Sequence, residues 1–495
     1  MVELTQQPFP PGRYGLVIVG SGPGALQLTY SLRALGIEHA VISQDQAPGG
    51  MFRRWPIFQR MLSWTKPYAP EALGTAAYER FDWNSLLAEE PEHRAIMPRV
   101  MDGTSYFPSR PEMERGLVAF AEGTGLQVRY GCTWESTRQE GDELVLATTD
   151  GEYRAKTVVF AVGVAEPWRP AVLAIDGVEQ YGELKPVEAY RDHSIFIVGK
   201  QNSGFEIATG LLPVARRIIL ASPSPTRLSV DVRSLAGVRA RYVQPYEDWA
   251  LAGGVVVLDA SIESVERSPG GFRVTTRSPQ EQHSRTFEVD DVIAATGFVA
   301  PLRDLRALGV TTFGQSRLPA QTNFWESADV PGIFFAGTLM QGAQGLRKHG
   351  IPSNSGAVQG YRYNARVLAR RIAEKRFGKE LPRPPVRPED VGPMLLREAS
   401  RGPELWHQRA YLARVVAFDG GGAFDDGIQP LAHYLDDERG PDAVAMTLEA
   451  NGKDDPYPVV YLRKQGRVTE HRLAPDPMLE FDRDEYRREL VELAR

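Results

Sequence analysis

The stretch YGLVIVGSGPGALQLTYSLRALG, residues 14–36, decides the fold of this chain. Its first part, YGLVIVG, is an almost unbroken apolar run, which is typical of a strand buried on both faces in a parallel sheet. A glycine-rich turn follows, and the apolar spacing after Ala25 is helical as far as Gly36. The next residues, EHAVIS, predict a second strand, so the segment forms a β-α-β unit.

The turn GSGPGA matches the Gly-x-Gly-x-x-Gly/Ala pattern of dinucleotide-binding folds. Gly20 permits the tight turn, Gly22 leaves room for a pyrophosphate, and Ala25 keeps helix and strand close. The phosphates would lie at the helix N-terminus, beside Pro23, because free N–H groups and the helix dipole favour anions there. We predict a nucleotide site; a turn that serves packing only is the alternative.

The end of the second strand carries Ser43 and Gln44, where an acid would usually hold the adenosine ribose. We predict that the Ser43 hydroxyl bonds the ribose instead. Asp45 is interpreted as a turn residue. The glycine pair that ends at Gly50 would bring backbone amides close to the phosphates, and Arg54 is either a phosphate contact or a solvated surface charge.

The β-α-β pattern recurs in RDHSIFIVG, NSGFEIATGLLPVA and RRIILASPS. Here the turn reads GKQNSG, from Gly199 to Gly204, and Gln201 replaces the glycine that normally faces the pyrophosphate. The strand, the two outer glycines and the pair Asn202 and Ser203 persist, and Ser203 can cap the helix or meet a phosphate. We therefore predict a second nucleotide site that is functional but of weakened affinity.

The remaining segments complete an α/β protein with two Rossmann-like dinucleotide-binding domains, β-meander insertions and a small C-terminal α+β extension. Residues 126–163 predict one meander, with strands LQVRYG, ELVLATT and TVVFAVG, and residues 254–298 predict the other. The Pro-rich residues 381–393 predict a linker. The predicted domains are residues 1–185 with 288–378, residues 186–287, and residues 379–495.

Composition excludes several classes of protein. The net charge of −6 argues against a nucleic-acid binder, and no apolar run approaches the ~18–20 residues that span a bilayer. The single cysteine, Cys132, excludes an intramolecular disulfide, a Cys-x-x-Cys pair and a zinc cage built on cysteines. Because the N-terminus lacks the basic and apolar parts of a signal peptide, we expect a cytoplasmic protein.

Several motifs together resemble the two-dinucleotide-fold flavoproteins, a superfamily of flavin monooxygenases, N-hydroxylases, Baeyer–Villiger enzymes and pyridine-nucleotide disulfide reductases. These motifs are GSGPGA, AVG at residues 161–163, ATGF at 295–298 and VPGIFFAGT at 330–338. Four further segments resemble the group of FAD-dependent oxidoreductase domain-containing protein 2 and its bacterial relatives: RMLSWTK, FAGTLMQ, GYRYNARVLARR and ELWHQRAYLARVV.

The resemblance implies FAD in the first fold and NADPH in the second. It also implies further cofactor contacts at Trp134, Gly163, Thr296, Gly297, Gly337 and Thr338. No acid follows the strand RRIILASPS, and Arg227 comes shortly after it, with Arg216 and Arg217 at its start. A missing acid with nearby arginine favours NADP over NAD, because the 2′-phosphate needs cationic donors; for Arg227 a surface charge is the alternative.

By elimination and resemblance, we expect a single-component flavin monooxygenase that uses molecular oxygen, through an oxygen adduct at flavin C4a, on a small organic molecule. Ser63, Thr65 and Lys66 occupy the segment near the flavin and are the candidate catalytic residues. Nitrogen hydroxylation and Baeyer–Villiger insertion both stay open, as does a homo-oligomer. Ser353, Asn354 and Ser355 are interpreted as polar flavin contacts or as a plain loop with a helix cap.

Two rival functions remain open at this point. One is a flavin-binding interaction protein, in which Gln201 marks a lost reductase function and the C-terminal extension binds a partner. The other is an NADPH oxidase that releases peroxide. Bleaching of the flavin by NADPH without oxygen separates the enzymes from the binding protein.

Overall fold

The computed structural model describes residues 7–50, 52, 60–232, 237–279, 284–314, 317–437 and 439–493. The chain divides into two compact units. Unit 1 comprises Met1–Gly50, Ser63–Val164 and Ala300–Arg495, and unit 2 comprises Met51–Leu62 and Ala165–Val299. Among the described residues, no helix combines the length and the apolar character that a membrane span requires.

The strands of the described residues, in chain order, are β1 (Gly12–Val19), β2 (Ala40–Ile42), β3 (Trp134–Glu140), β4 (Glu143–Thr148), β5 (Gly151–Phe160), β6 (Glu166–Pro167), β7 (Glu179–Gln180), β8 (Ser194–Val198), β9 (Arg217–Ser222), β10 (Val255–Asp259), β11 (Ser261–Ser268), β12 (Gly271–Arg277), β13 (Ser284–Val289), β14 (Asp291–Ala294), β15 (Phe298–Val299), β16 (Thr312–Phe313), β17 (Leu318–Pro319), β18 (Ile333–Phe335), β19 (Pro385–Val386), β20 (Leu412–Asp419), β21 (Gly422–Pro430), β22 (Ala443–Glu449), β23 (Tyr457–Lys464) and β24 (Arg467–Arg472).

The α-helices are α1 (Pro23–Ala34), α2 (Met97–Val100), α3 (Arg110–Gly123), α4 (Asn202–Leu211), α5 (Ser229–Val232), α6 (Gln244–Ala250), α7 (Val358–Phe377), α8 (Pro388–Arg401), α9 (Pro403–His407), α10 (Leu431–Asp436) and α11 (Asp484–Leu493). The chain also forms short 3₁₀ turns, of which Ala77–Arg80 and Gly337–Gly342 matter below.

The first dinucleotide fold of unit 1 is a parallel sheet in which β1 lies between β2 and β5, and β18 pairs with β5. The inner half of β1, residues 16–19, is fully buried, as its apolar run predicts. The far half of β5 joins β4 and β3 in the antiparallel meander. The prediction of LQVRYG as the first meander strand was wrong. Residues 126–131 lie before the meander, whose first strand, β3, begins at Trp134.

The C-terminal part of unit 1 is an antiparallel sheet with the order β19-β21-β20-β22-β23-β24. Helices α8, α9 and α11 contribute to the core on one face and α10 to the core on the other. Gly420 and Gly421 both have positive φ in the turn between β20 and β21, as expected of a tight hairpin. The linker prediction was wrong for residues 388–393, because Pro388 starts α8 and Pro393 lies inside it.

Unit 2 is the second dinucleotide fold, a parallel sheet with the order β10-β9-β8-β14-β7. Apolar cores cover both faces of this sheet. The meander β11-β12-β13 is antiparallel. The predicted meander strand GVVVLDASIESVE proves to be two strands, since its first half forms β10 at the edge of the parallel sheet and its second half forms β11. The sequence thus predicted the α/β class and both Rossmann-like folds correctly.

Candidate functional site

The first glycine turn lies at the carboxyl ends of β1, β2, β5 and β18, where open α/β sheets bind their ligands. Gly20 has a φ of 120°, and a Cβ there would lie 2.5 Å from the Ala161 carbonyl oxygen. A Cβ at Gly22 would meet no atom within 4 Å, so this position faces open space. We call the turn and these strand ends the first cradle. Its shape fits a pyrophosphate, because room is left at Gly22 beside the start of α1.

Helix α1 comes closest to the end of β18 at Gly24, one residue before the Ala25 that the sequence pattern predicts. A Cβ on Gly24 would lie 2.3 Å from the Gly337 Cα, whereas Ala25 is accommodated in the core. Gly337 itself has a φ of 69°, which favours glycine. Thr338 follows it, half-buried in the 3₁₀ turn. The pattern thus predicted the glycines but could not show that β18 is the partner of α1.

Two helices present their N-termini to the first cradle. Helix α7 packs along α1, and its last residue, Phe377, lies under Gly15 near the beginning of β1. Lys379, just beyond α7, donates to the carbonyl of Leu35 at the end of α1. Because both C-termini lie at the amino edge of the sheet, both N-termini lie at its carboxyl edge. Their dipoles favour negative charge there.

A carboxylate that the sequence interpretation assigned to a turn lies at the end of β2. The hydroxyl oxygens of Ser21 and Ser43 are 2.9 Å apart, and each lies 3.3 Å from Asp45 Oδ2. Gln44 is exposed, and Gly50 packs against the Asp45 side chain so closely that a Cβ would be 2.6 Å from it. Asp45 therefore supplies an acid at the position where we predicted Ser43 alone.

The other predicted contacts of the first cradle are spread along its edge. Trp134 packs on Phe160 with ring centroids 4.7 Å apart, and its indole N–H donates to Thr137. Gly163 has a φ of 72° just beyond β5. Arg54 lies outside the described residues. Their roles in cofactor binding stay predictions.

The candidate catalytic hydroxyls are already bonded within the protein. Ser63 Oγ donates to Asn84 Oδ1 at 2.6 Å, and Thr65 Oγ1 donates to Asp82 Oδ1 at 3.0 Å. Both side chains are buried, whereas Lys66 is exposed. This geometry favours a structural role for Ser63 and Thr65, so their catalytic role stays a prediction that the contacts do not support. Sequence reasoning missed Asn84, since only folding brings it to this segment.

The loop before α7 is held by the C-terminal part of unit 1. Gln408 donates to Ser355 Oγ at 3.1 Å and to Asn364 Oδ1 at 2.7 Å, and it accepts from the Asn354 N–H. The Asn354 side chain donates to the carbonyl of His407. The side chains of Asn354 and Ser355 therefore already have protein partners, which favours the interpretation as a plain loop.

A second anchor holds the same loop at Lys348. The ammonium group of Lys348 donates to Glu449 at 2.8 Å, to Tyr461 at 2.6 Å and to Glu470 at 2.7 Å. Glu449 is buried on β22, and Glu470 is exposed on β24. His349, which has a φ of 56°, lies 3.6 Å from Glu449. Left-handed backbone at a non-glycine residue persists only where the surroundings enforce it, so the C-terminal sheet fixes this loop.

The second glycine turn has the same construction at the carboxyl end of β8. Gly199 has a φ of 117°, and a Cβ there would lie 2.3 Å from the Ala295 carbonyl oxygen. A Cβ on Gly204 would lie 2.2 Å from the Gly199 carbonyl oxygen. Gln201 occupies the cap position of α4 with an exposed side chain. We call this turn, with the neighbouring strand ends, the second cradle. The backbone of Gln201 is extended, as is that of Gly22 in the first turn.

The remaining polar residues of the second cradle differ in their burial and in their hydrogen-bond partners. Asn202 bonds the backbone of Gly237 and Arg239, and Ser203 is half-buried in the first turn of α4. Thr296 donates to the carbonyl of Trp168, and Gly297 has a φ of 90°. These contacts make Asn202 and Thr296 parts of the framework around the cradle.

The three arginines that favour NADP in the sequence, Arg216, Arg217 and Arg227, lie at different ends of β9. Arg217 begins β9, and its guanidinium donates to the Glu288 carbonyl, while Arg216 pairs with Asp290. Six residues of strand at ~3.3 Å each separate this end from the carboxyl edge. Arg216 and Arg217 therefore lie at the wrong edge of the sheet for a phosphate, and only the exposed Arg227 follows the strand.

A buried acid lies on α4, close to the glycine turn. Glu206 accepts hydrogen bonds from Tyr181 and Tyr242, and burial raises its pKa to about 7. The ring of Tyr181 packs edge-on against Phe298. The sequence interpretation did not single out Glu206, because only the fold shows that it is buried.

Cys132 is fully buried, and burial raises the pKa of its thiol. A thiol of this kind is inert towards disulfides. With a single cysteine in the sequence, no dithiol can form within the chain.

Two glycine turns, each at the carboxyl edge of a parallel sheet, characterise this molecule, and the family model for pyridine nucleotide-disulphide oxidoreductases matches residues 17–337. The chain belongs to that family. It is accordingly an oxidoreductase, which agrees with the sequence interpretation. Family membership covers both cradles and leaves the C-terminal sheet outside the match.

This chain is similar to the FAD-dependent oxidoreductase domain-containing protein 2 of Mus musculus. It is 28% identical over 433 residues, which cover 81% of this chain and 64% of the relative. The chain thus spans less than two thirds of that protein's length. The resemblance to this group, predicted from four short segments, is confirmed.

Solved structures agree with the fold. The bacillithiol disulfide reductase of Staphylococcus aureus has a TM-score of 0.57 at 14% identity, covering 73% of this chain and 99% of that one. The ornithine N-hydroxylase of Kutzneria sp. 744, solved with reduced FAD, NADP+ and L-ornithine, has a TM-score of 0.54 at 16% identity, covering 74% and 100%. At such identity these neighbours show the fold alone.

Proposed function

We propose that the chain is an FAD- and NADPH-dependent oxidoreductase, with FAD in the first cradle and NADPH in the second. The observation that carries this proposal is the pair of glycine turns, each between a buried strand and a helix at the carboxyl edge of its own sheet. The two cofactors named for the Kutzneria enzyme support the same assignment. In this proposal, unit 1 contains the FAD domain and unit 2 the NADPH domain, whose parallel sheet includes β7 and β14 from the residues that the sequence analysis assigned to the FAD domain.

The residues of the first cradle have distinct tasks. The amides at the start of α1 bind the pyrophosphate, and Ser43 with Asp45 accepts the ribose hydroxyls. The N-terminus of α7 opposes negative charge, and the C-terminal sheet keeps the preceding loop in place. Bound FAD supplies hydride acceptance and reactivity with oxygen, which no side chain provides.

The finer function that we propose is a single-component monooxygenase of a small organic molecule. The single buried cysteine excludes a dithiol route within the chain, and molecular oxygen is the electron acceptor in this proposal. Structural neighbours that are flavin monooxygenases support this choice. Nitrogen hydroxylation and Baeyer–Villiger oxygenation both fit, since no described residue distinguishes them.

A second candidate is an oxidase that releases peroxide. It is favoured by the hydrogen bonds of Ser63 and Thr65, whose hydroxyls are held by Asn84 and Asp82 rather than left to stabilise an oxygen species.

Measuring what becomes of the consumed oxygen separates the two candidates. The protein is reduced with NADPH, and oxygen uptake and peroxide release are measured across a panel of amines and ketones. A monooxygenase couples oxygen uptake to one substrate with little peroxide, whereas the oxidase yields peroxide stoichiometric with NADPH for every compound. A protein that retains FAD but consumes no NADPH would contradict both and favour the flavin-binding interaction protein.

A further inference from the structure

A buried ion pair lies across the carboxyl end of β9. Lys200, the second residue of the glycine turn in unit 2, extends its side chain past β9 and bonds the carboxylate of Asp259, the last residue of β10. In the register of the sheet, Asp259 lies directly beside Ser222, the last residue of β9. The strands β8 and β10 are two spacings of ~4.8 Å apart, a span that an extended lysine and an aspartate bridge.

This position matters because the second strand of a dinucleotide fold ends at the adenosine ribose. In unit 2 that strand is β9, and residues 223–230, which follow it directly, contain no acid. Asp259 brings a carboxylate to the same place from the neighbouring strand. The sequence interpretation overlooked it, since Asp259 follows Ser222 by 37 residues.

The two partners differ in their freedom to move. The Lys200 side chain is 0% exposed, whereas that of Asp259 is 40% exposed. A buried ammonium needs a negative partner, because an unpaired charge there is costly. Asp259 can turn into solvent if another anion replaces it, and a phosphate is such an anion.

There is also room for a ligand beside the pair. Asp259 lines a cavity of about 280 Å³ in unit 2. Its walls include Thr226, which follows β9 and has a buried hydroxyl without a hydrogen-bond partner, and the half-exposed rings of Tyr246 and Trp249. A ligand at the end of β9 can therefore contact Asp259 from the cavity.

We propose that Lys200 and Asp259 together select between NADPH and NADH. This inference rests on the proposed function, in which the second cradle binds the nicotinamide nucleotide. Lys200 pairs with the 2′-phosphate of NADPH after Asp259 has turned away. Asp259, still paired with Lys200, accepts a hydrogen bond from the 2′-hydroxyl of NADH. The wild-type protein consequently accepts both nucleotides with modest discrimination.

Two single substitutions should shift this preference in opposite directions. Lys200→Met removes the phosphate partner and leaves an acid, so the ratio of NADPH to NADH affinity should fall about tenfold. Asp259→Asn removes the competitor, so the ratio should rise about fivefold. Glu288→Gln is the matched control: it deletes one exposed carboxylate of the same domain, which pairs with Arg273 on the meander, and should leave the ratio unchanged.

The measurement is the dissociation constant of 2′,5′-ADP and of 5′-AMP by calorimetry on the FAD-loaded protein. These fragments report the 2′-phosphate directly, so the result does not depend on flavin reduction. The double variant Lys200→Met/Asp259→Asn removes both charges, folds without an unpaired one, and should bind the two fragments with nearly equal affinity.

Opposite shifts in the two single variants are the expected result. Shifts in the same direction, or a ratio in the double variant that still equals the wild-type ratio, would overturn the inference. If both fragments bind but neither NADPH nor NADH bleaches the flavin, the proposed function fails while the selection by Lys200 and Asp259 stands.

Discussion

Gly22 and Gly24 occupy the same turn of the first cradle, and alanine at each position should have a different consequence. At Gly24 the new methyl group would lie 2.3 Å from the Gly337 Cα and 2.5 Å from its nitrogen. Carbon atoms normally approach to ~3.5–4.0 Å, so α1 and the end of β18 must separate by more than about 1 Å. Overpacking of this kind costs about 1–3 kcal/mol. Gly24→Ala should therefore lower the unfolding temperature of the apoprotein by roughly 5 °C.

Gly22→Ala is the matched variant, because a Cβ there meets nothing within 4 Å. The apoprotein should lose less than about 1 kcal/mol, the cost of a poorer helix cap. The methyl group occupies the space left for the pyrophosphate, so flavin affinity should fall ~10-fold or more. The assay compares thermal unfolding of the apoproteins with the flavin content of the reconstituted proteins. Normal flavin binding by Gly22→Ala, or an unchanged unfolding temperature for Gly24→Ala, would refute the reasoning.

Four further substitutions test other parts of the molecule. Glu206 has a pKa of about 7 against its ordinary 4.5, so it stays protonated in the folded state, and the free energy of unfolding should fall by roughly 3 kcal/mol as pH rises from 4.5 to 7. Glu206→Gln should remove that slope in denaturant titrations; an identical slope would contradict the assignment. Glu449→Gln should cost about 3 kcal/mol of stability and alter the visible flavin spectrum, whereas Glu470→Gln, at the exposed partner of Lys348, should cost less than about 1 kcal/mol. Ser63→Ala should lower the free energy of unfolding by about 1–3 kcal/mol, because Asn84 Oδ1 loses its donor, and should leave turnover unchanged. A variant of full stability that has lost turnover would instead indicate that the Ser63 hydroxyl is catalytic.

The sequence predicted what depends on local geometry. Gly20 and Gly199 need positive φ in a turn between a buried strand and a helix, and this requirement is written in a few adjacent residues. Partners that arrive from distant parts of the chain could not be predicted in this way. Asn84 meets Ser63 across 21 residues, and Gln408 meets Ser355 across 53.

The positions of charged side chains could not be predicted from the sequence for the same reason. Asp45 was interpreted as a turn residue because its position in the sequence lies two residues beyond the expected acid, but the chain folds its carboxylate back to Ser21. Arg217 supported NADP in the sequence analysis because it is close to Ser222 in sequence, although a strand places the two at opposite edges of the sheet.

In the proposed reaction, a flavin bound in unit 1 takes electrons from a nicotinamide nucleotide bound in unit 2. Mixing the FAD-loaded protein with excess NADPH in the absence of oxygen tests it most directly. We expect rapid and complete loss of the visible flavin absorbance, slowed by Gly204→Ala, whose methyl group would collide with the Gly199 carbonyl. A flavin that keeps its colour with both NADPH and NADH would contradict it.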